Sequence, residues 1–538
     1  MPERFPLRRY GTHGQSRSRA HPGLRAANTP GLAQPAYRVV ENHRLGPFLD
    51  FQEPPREGRE NMSAAFSCDF EGPAQRLPHF WEHTIGSGHA TLALRADWQA
   101  QMRRAHDELG VMHARFHGIL DDDMGTLIEQ SGKLIYSFFN ADQIIDFLLS
   151  IGMKPFVELS FMPTALASGD KTAFHYRANV SPPRDPAGWA VLIRKLVEHW
   201  VAQYGIGEVR QWFFEVWNEP NLTAFGTGKQ EDYFRLYRYT AEAIKGVDAR
   251  LQIGGPATAA NAWISDFLKF CRDSKLPADF VSTHHYPTDA FGKPGDDTET
   301  QLAESTRSIL REQARQVRKQ AGDLPLYYTE WSSSSNPRDY MHDDPYAAAF
   351  IVKTVLEANG LVQGYSYWTF SDIFEENYFP SLPFQGGFGL QTIQGIAKPA
   401  YRAFQLLHEL GAEAIPLEGN HQTVDAWFVR GDRSATLILT NFALPRHPIL
   451  TEEIAFTLRN APRMARASCR RIDLDHANAK RLWEQMGKPE YPDAALLKEL
   501  HEASRLRTEE QAIELAGGTL SLRASLAPQS VTSIRLAY

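Results

Sequence analysis

Two glutamates stand where apolar runs give way to polar sequence, and their placement carries the chemistry. The run Trp212-Phe213-Phe214-Glu215-Val216-Trp217 leads into Asn218, Glu219 and Pro220. The run Leu326-Tyr327-Tyr328-Thr329 leads into Glu330 and Trp331. Proline cannot donate to a sheet ladder, so Pro220 ends the first strand just past Glu219. Two carboxylates that meet at one substrate can cleave a glycosidic bond, one as protonated acid and the other ionised at the anomeric carbon. Their surroundings must then separate their protonation states. Glu219, behind an aromatic strand and Asn218, stands where burial raises a pKa. Glu330, between Tyr328 and Trp331, stands where tyrosine or histidine hydrogen bonds keep a carboxylate ionised. A lone glutamate of this kind reads as a strand cap in a salt bridge. A matched pair reads as a site.

The pair meets only if the strands are arranged to bring it together. Apolar strands are expected at 81–85, 111–119, 154–161, 209–217, 251–256, 279–286, 326–331 and 365–369. Helices are expected between them at 141–150, 186–204, 230–247, 263–273, 300–320 and 345–358. Helical spacing is explicit in Phe234, Tyr237, Ala241 and Ile244. Eight strands alternating with helices predict an α/β (β/α)8 TIM barrel, whose chemistry sits at the C-terminal strand ends. Glu219 then follows strand four and Glu330 strand seven. A doubly wound sheet is the competing fold, but the chain contains no GxGxxG or GxxxxGK(S/T) turn.

Other residues reach the same rim. His117 closes the second strand ahead of Asp121, Asp122 and Asp123. His284, His285 and Tyr286 close the sixth. Trp368 closes the eighth ahead of Asp372, Glu375 and Glu376. Histidines at strand ends can bind zinc or manganese, but no HxH or HExxH spacing occurs. Adjacent His284 and His285 point to opposite faces of a strand. No metal and no cofactor are expected. Glu215 shares strand parity with Glu219 but lies deeper, in a buried polar network.

The flanks differ in texture. Residues 1–61 are expected to be a disordered or non-native extension. The first 36 carry six arginines against the single acid Glu3, with no hydrophobic period. A basic targeting arm is the alternative, and there is no apolar core of a secretory signal. Residues 62–72 are expected to supply a strand to an accessory antiparallel β-sandwich, 73–404 the catalytic barrel, and 405–538 the rest of the sandwich. Its strands are expected at 424–429, 435–441, 454–457, 464–472, 519–522 and 530–536, with a helical insertion at about 477–506.

Composition excludes several classes. A net charge of −7 over 538 residues points to neither nucleic acid nor membrane. Three cysteines, Cys68, Cys271 and Cys469, do not make a disulfide framework. With no secretory signal, a cytoplasmic protein is expected, possible as a homo-oligomer.

Four stretches besides Glu215-Val216-Trp217-Asn218-Glu219-Pro220-Asn221 carry a resemblance. They are His117-Gly118-Ile119-Leu120-Asp121-Asp122, Glu158-Leu159-Ser160-Phe161-Met162-Pro163, Tyr327-Tyr328-Thr329-Glu330-Trp331, and 367–376 with Trp368-Thr369-Phe370-Ser371-Asp372. Over about residues 64–410 the chain resembles glycoside hydrolase family 39, the β-xylosidase and α-L-iduronidase family, and leans to the xylosidase branch. The resemblance implies Glu219 as acid/base and Glu330 as nucleophile of a retaining, exo-acting β-xylosidase with an oligosaccharide substrate. It implies that Asn218 binds the sugar 2-hydroxyl and that His284 and Tyr286 support Glu330. Phe161, Trp368, Glu375 and Glu376 would shape the pocket, with His117 and Trp331 beside them in the substrate-binding set. Trp331 and the serine run 332–335 depart from the polar sequence expected after the nucleophile. The alternatives are another retaining glycosidase, acting on α-L-arabinosides, β-glucosides or iduronides, and a non-catalytic carbohydrate-binding protein.

Overall fold

The computed structural model describes residues 64–288, 297–376, 378–379, 381–463 and 466–538. The expectation for residues 1–61 lies outside them, as do residues 62–63 of the first sandwich segment and 464–465 of the strand expected at 464–472.

Eight parallel strands close into a barrel: Thr84–His89, His113–His117, Lys154–Leu159, Phe213–Val216, Gln252–Thr258, Phe280–His285, Leu326–Trp331 and Gly364–Tyr367. The (β/α)8 expectation is met. Each strand is followed by a long helix of the outer layer, from Ala96–Leu109 to Pro399–His408. Helix Pro186–Tyr204 shows why these segments fold as they do. Asp185 caps it by accepting from Ala187 N–H, Pro186 is preset for the first turn, and Trp189, Leu192, Ile193, Leu196, Val197 and Trp200 form one buried stripe.

Several expected bounds shift. The first strand begins at Thr84, because Phe80–Glu82 winds into a 3-10 turn. The fourth begins at Phe213, because Ile206–Val209 is a helical turn. The helix expected at 300–320 is two, Thr298–Ala303 and Ile309–Ala321. Between them, Arg307 reaches out to Phe442 O, Thr423 O and Asp425, contacts that a continuous helix could not aim. Helices Ala96–Leu109 and Pro399–His408 were not expected; the second runs across position 404.

Beside the barrel, two sheets face each other over a core of Phe66, Phe428, Leu437, Phe456, Leu522 and Ile534. Strand Ala64–Asp69 pairs in parallel with Glu452–Arg459, so this part is not purely antiparallel. The expected helical insertion is two helices, Ala479–Gln485 and Ala494–Ala503.

Aromatic rings from the starts of strands three, four, six and seven, Phe156, Phe213, Phe280 and Tyr327, plug the N-terminal end of the barrel. His83 and His113 stack against each other above this plug, 4.5 Å between ring centres. Burial lowers the His83 pKa from 6.5 to about 3 and that of His113 to about 4, so both rings fold neutral. The unfolded chain takes up these protons below pH 6.5 and the folded chain does not, so their contribution is present above that pH and is lost as pH falls toward 4. Each should cost about 1.4 kcal/mol of stability per pH unit in that window. Denaturant unfolding between pH 7 and 4.5 should show a shallower fall for His113→Gln than for the wild type. Equal slopes would remove this pair from the acid response.

Candidate active site

The fourth strand ends at Val216, and the chain then turns out of strand geometry, with φ of 69° at Trp217 and 44° at Glu219. Strand parity therefore does not carry through to Glu219. Trp217 packs against Phe161 and Trp189, and its indole N–H donates to Phe225 O at 2.7 Å. Glu219 N–H donates to Ala257 O at 2.8 Å, which pins the turn to the fifth strand. Glu330, inside the seventh strand, meets it. One ligating oxygen of each carboxylate and one nitrogen of His284 all lie within 4.8 Å of one another.

Arg115 organises the pocket, and the sequence reading missed it. It is wholly buried on the second strand. Its Nε donates to Glu215 Oε2 at 2.6 Å, Nη1 to Glu330 Oε1 at 2.8 Å and Nη2 to Asn218 Oδ1 at 2.9 Å. Nη2 also pairs with Glu158 Oε2 at 2.8 Å. Burial disfavours the guanidinium charge, but Glu158, Glu215 and Glu330 outweigh it and raise the pKa. A charge alone in an apolar strand must be paired, and that was its signal in Ala114-Arg115-Phe116, as it was for Glu158 in the third strand. Glu215 lies in the buried network, accepting also from Thr329 Oγ1 at 2.8 Å.

Arg115 also sets the proton on His284. Nη2 lies 3.3 Å from His284 Nε2, and a guanidinium can only donate, so Nε2 accepts. Burial lowers the His284 pKa to about 4, so the ring is neutral and its proton sits on Nδ1. Nδ1 then donates to Glu219 Oε1 at 2.9 Å, with Glu330 Oε2 farther off at 3.6 Å. The expected support of Glu330 by His284 thus becomes a hydrogen bond to Glu219. Tyr286 donates to Glu330 Oε2 at 3.0 Å. Glu330 accepts from both Arg115 and Tyr286, which is the pattern of an ionised carboxylate. Burial raises the Glu219 pKa to about 7, against the lowering effect of His117 and Arg115.

His117 shares the wall. Burial opposes its charge, but Glu158, Glu330 and Glu376 together outweigh burial and lift the pKa to about 9, with Nδ1 2.7 Å from Glu158 Oε2. Its ring centre is 4.7 Å from the Trp368 ring and 5.9 Å from that of Phe161. Gly86 makes room for Trp368: a Cβ there would stand 2.6 Å from the indole. Glu376 Oε1 lies 3.5 Å from His117 Nε2 and makes no hydrogen bond, and burial lifts this carboxyl to about 8. Glu375 Oε1 is 2.8 Å from Nδ1 of His89, a buried residue that the sequence reading also missed. Burial disfavours its charge, but the hydrogen bonds it donates to Asp121, Asp123 and Glu375 overcome this and raise His89 to about 11.

The structure thus gathers Glu219, Glu330, Asn218, His117, His284, Tyr286, Trp368 and Glu376 around one pocket, with Phe161 and Glu375 at its wall. It does not bring in Trp331. That side chain is fully buried on the other face of its strand, stacked on Tyr365 at 4.3 Å and against Phe404 of the outer helices. The strand is irregular between Tyr328 and Trp331, so Thr329, which reaches Glu215, and Glu330 both face in and Trp331 turns out. His285 likewise turns away, stacking on Tyr328 and bonding Tyr365 Oη. Three groups among the described residues could hold an ion: Glu219 with His284 and Glu330, His89 with Asp121 and Asp123, and His79 with Glu82 and His408. The first two belong to the hydrogen-bond network just described.

A closed (β/α)8 barrel with two facing carboxylates at the ends of strands four and seven defines a barrel glycoside hydrolase. Residues 66–519 match the profile of Glycosyl hydrolases family 39. The chain belongs to that family. It is similar to the β-xylosidase of Caldicellulosiruptor saccharolyticus, 47% identical over 467 residues that cover 86% of this chain and 96% of that protein. It is 36% identical to the β-xylosidase of Geobacillus stearothermophilus over 477 residues, covering 85% and 92%. The crystal structure of a monomeric β-xylosidase from Caulobacter crescentus superposes with a TM-score of 0.79 at 36% identity, covering 88% and 99%. Among the described residues no helix is long and apolar enough to cross a membrane.

Proposed function

We propose that the protein is a retaining, exo-acting β-xylosidase that releases terminal xylose from xylooligosaccharides. The observation that carries this is the close approach of Glu219 and Glu330, with oxygens within 4.8 Å. Carboxyl groups about 5–5.5 Å apart serve a double displacement, whereas inversion needs about 6.5–9.5 Å to seat a water. The names of the two relatives favour xylose as the sugar.

In this reading Glu330 attacks the anomeric carbon while Glu219 gives its proton to the departing oxygen. A covalent glycosyl-enzyme forms. Glu219, now a base, draws a proton from water, which attacks the same carbon and frees xylose with its configuration retained. Arg115 and Tyr286 hold the Glu330 oxygens in place until attack. Asn218 presents its amide Oδ1 to Arg115, which leaves its NH2 for the 2-hydroxyl of the sugar. Trp368, His117 and Phe161 wall the pocket, and Glu375 and Glu376 offer acceptors to the remaining hydroxyls.

A panel of aryl β-xyloside, α-L-arabinoside, β-glucoside and uronide substrates tests the sugar. The xyloside should exceed each of the others in kcat/KM by at least about tenfold. Proton NMR of the first product should show β-xylose before mutarotation. Initial release of the α anomer would mean inversion and would overturn the double displacement.

A further inference from the structure

At the closed end of the barrel, away from this pocket, three donor side chains converge. His79 Nδ1 lies 2.6 Å from Glu82 Oε1, and His408 Nδ1 lies 2.9 Å from the same oxygen. His79 and Glu82 flank the 3-10 turn that leads into the first barrel strand, and His408 ends helix Pro399–His408. The ligating atoms of all three lie within 4.8 Å of one another. The side chains are 21%, 17% and 37% exposed, so an ion from solution can reach them.

The tautomer of His79 prepares this cluster for an ion. His79 Nε2 stands 3.3 Å from the carbonyl oxygen of Gly411. A carbonyl only accepts, so that nitrogen carries the hydrogen. In the neutral ring Nδ1 is then a bare lone pair facing a carboxylate oxygen, and a cation, either a proton or a metal ion, must bridge the two. A backbone carbonyl that fixes one ring nitrogen so that the other can ligate is the usual support behind a metal-bound histidine. Gly110, which ends helix Ala96–Leu109 in the left-handed region at φ 71°, packs beside the cluster: a Cβ there would stand 2.5 Å from His408 Nδ1 and 2.8 Å from Glu82 Oε2.

We infer that His79, Glu82 and His408 form a binding site for a zinc-class divalent ion. Two imidazole nitrogens and one carboxylate oxygen make a zinc donor set, and a water fills the fourth position on the exposed side. Bonds of about 2.0–2.2 Å in a tetrahedron set donors about 3.4 Å apart. From 2.6 and 2.9 Å, side chains with this exposure reach that spacing by opening about 0.8 and 0.5 Å. The ion ties the segment that enters the barrel to the helix that completes it, across a sequence separation of 326 residues. Because the unfolded chain does not gather these ligands, binding favours the folded protein.

The test uses the full chain dialysed against EDTA and then titrated with zinc by calorimetry and thermal unfolding. One zinc per chain should bind. At a concentration of about 100 Kd the Tm should rise by about 3 °C, with xyloside turnover unchanged. Cobalt(II) in its place should give the intense visible bands of a four-coordinate ion. His408→Gln should weaken zinc binding at least about tenfold and abolish the Tm rise while keeping normal turnover, which shows that it is folded. Glu330→Gln should bind zinc as the wild type does. Absence of zinc binding by the folded wild type, or equal binding by wild type and His408→Gln, would overturn the site. Loss of binding in Glu330→Gln would move the ion to the catalytic pocket and overturn it as well.

Discussion

Glu330→Gln is expected to lower turnover of an aryl β-xyloside by at least about 10^4-fold. The amide keeps the shape of the carboxylate but cannot attack the anomeric carbon. It also sets an NH2 against Arg115 Nη1 or the Tyr286 hydroxyl, which now donate to Glu330 at 2.8 Å and 3.0 Å. Arg115 retains Glu158 and Glu215, so the barrel still closes around a paired charge. Steady-state rates with thermal unfolding as a folding control measure this. Near-normal turnover by the folded variant would show that Glu330 is not the nucleophile.

Glu219→Ala should lower kcat/KM by about 10^2–10^4-fold on substrates with poor leaving groups and far less on activated aryl xylosides. Azide fits where the carboxyl was and needs no general base, so it should restore turnover and yield a β-xylosyl azide. If azide has no effect, the acid/base role belongs elsewhere. The wild-type pH profile follows from the same group. Burial holds Glu219 near 7, and only its protonated form can assist a leaving oxygen. The kcat/KM for poor leaving groups should therefore fall as pH rises through about 7 and hold below it. In Glu219→Gln that alkaline limb should vanish while those of His117 and Glu376, which titrate near 9 and 8, remain.

Much of this site is legible in the chain because barrel strands advertise their ends. Leu326–Trp331 is an unbroken apolar run with one acid in it, so Glu330 stands out. The opposition of His284 to His285 follows from strand alternation alone. Trp331 escapes that rule: counted from the interior Tyr327 and Thr329 it would face in, and only the register shift between Tyr328 and Trp331 turns Glu330 in and Trp331 out. Glu219 is harder: its strand ends three residues earlier, and the left-handed backbone at Trp217 resets the count. Arg115 carries a signal as a lone charge in its strand, but its partners, like those of His89, lie on distant segments and cannot be read from the sequence. Glu215 is 100 residues from Arg115 and Glu330 is 215. The break at 304–308 had the same cause, since Arg307 answers to Phe442, Thr423 and Asp425 in the neighbouring sandwich.

The amino-acid sequence by itself determined the alternation of strand and helix, the number of barrel strands and the two carboxylates at matching strand ends. These depend on periodicity and on local termination by residues such as Pro220, which act within a few positions of themselves. Only the tertiary structure decided how the protons are distributed. Whether a carboxyl binds a proton depends on the water removed from it and on the charges within a few ångströms, and both come from distant segments. Glu219 is raised because closure of the barrel buries it, and His284 donates a hydrogen bond to it from Nδ1 because Arg115 occupies the opposite nitrogen.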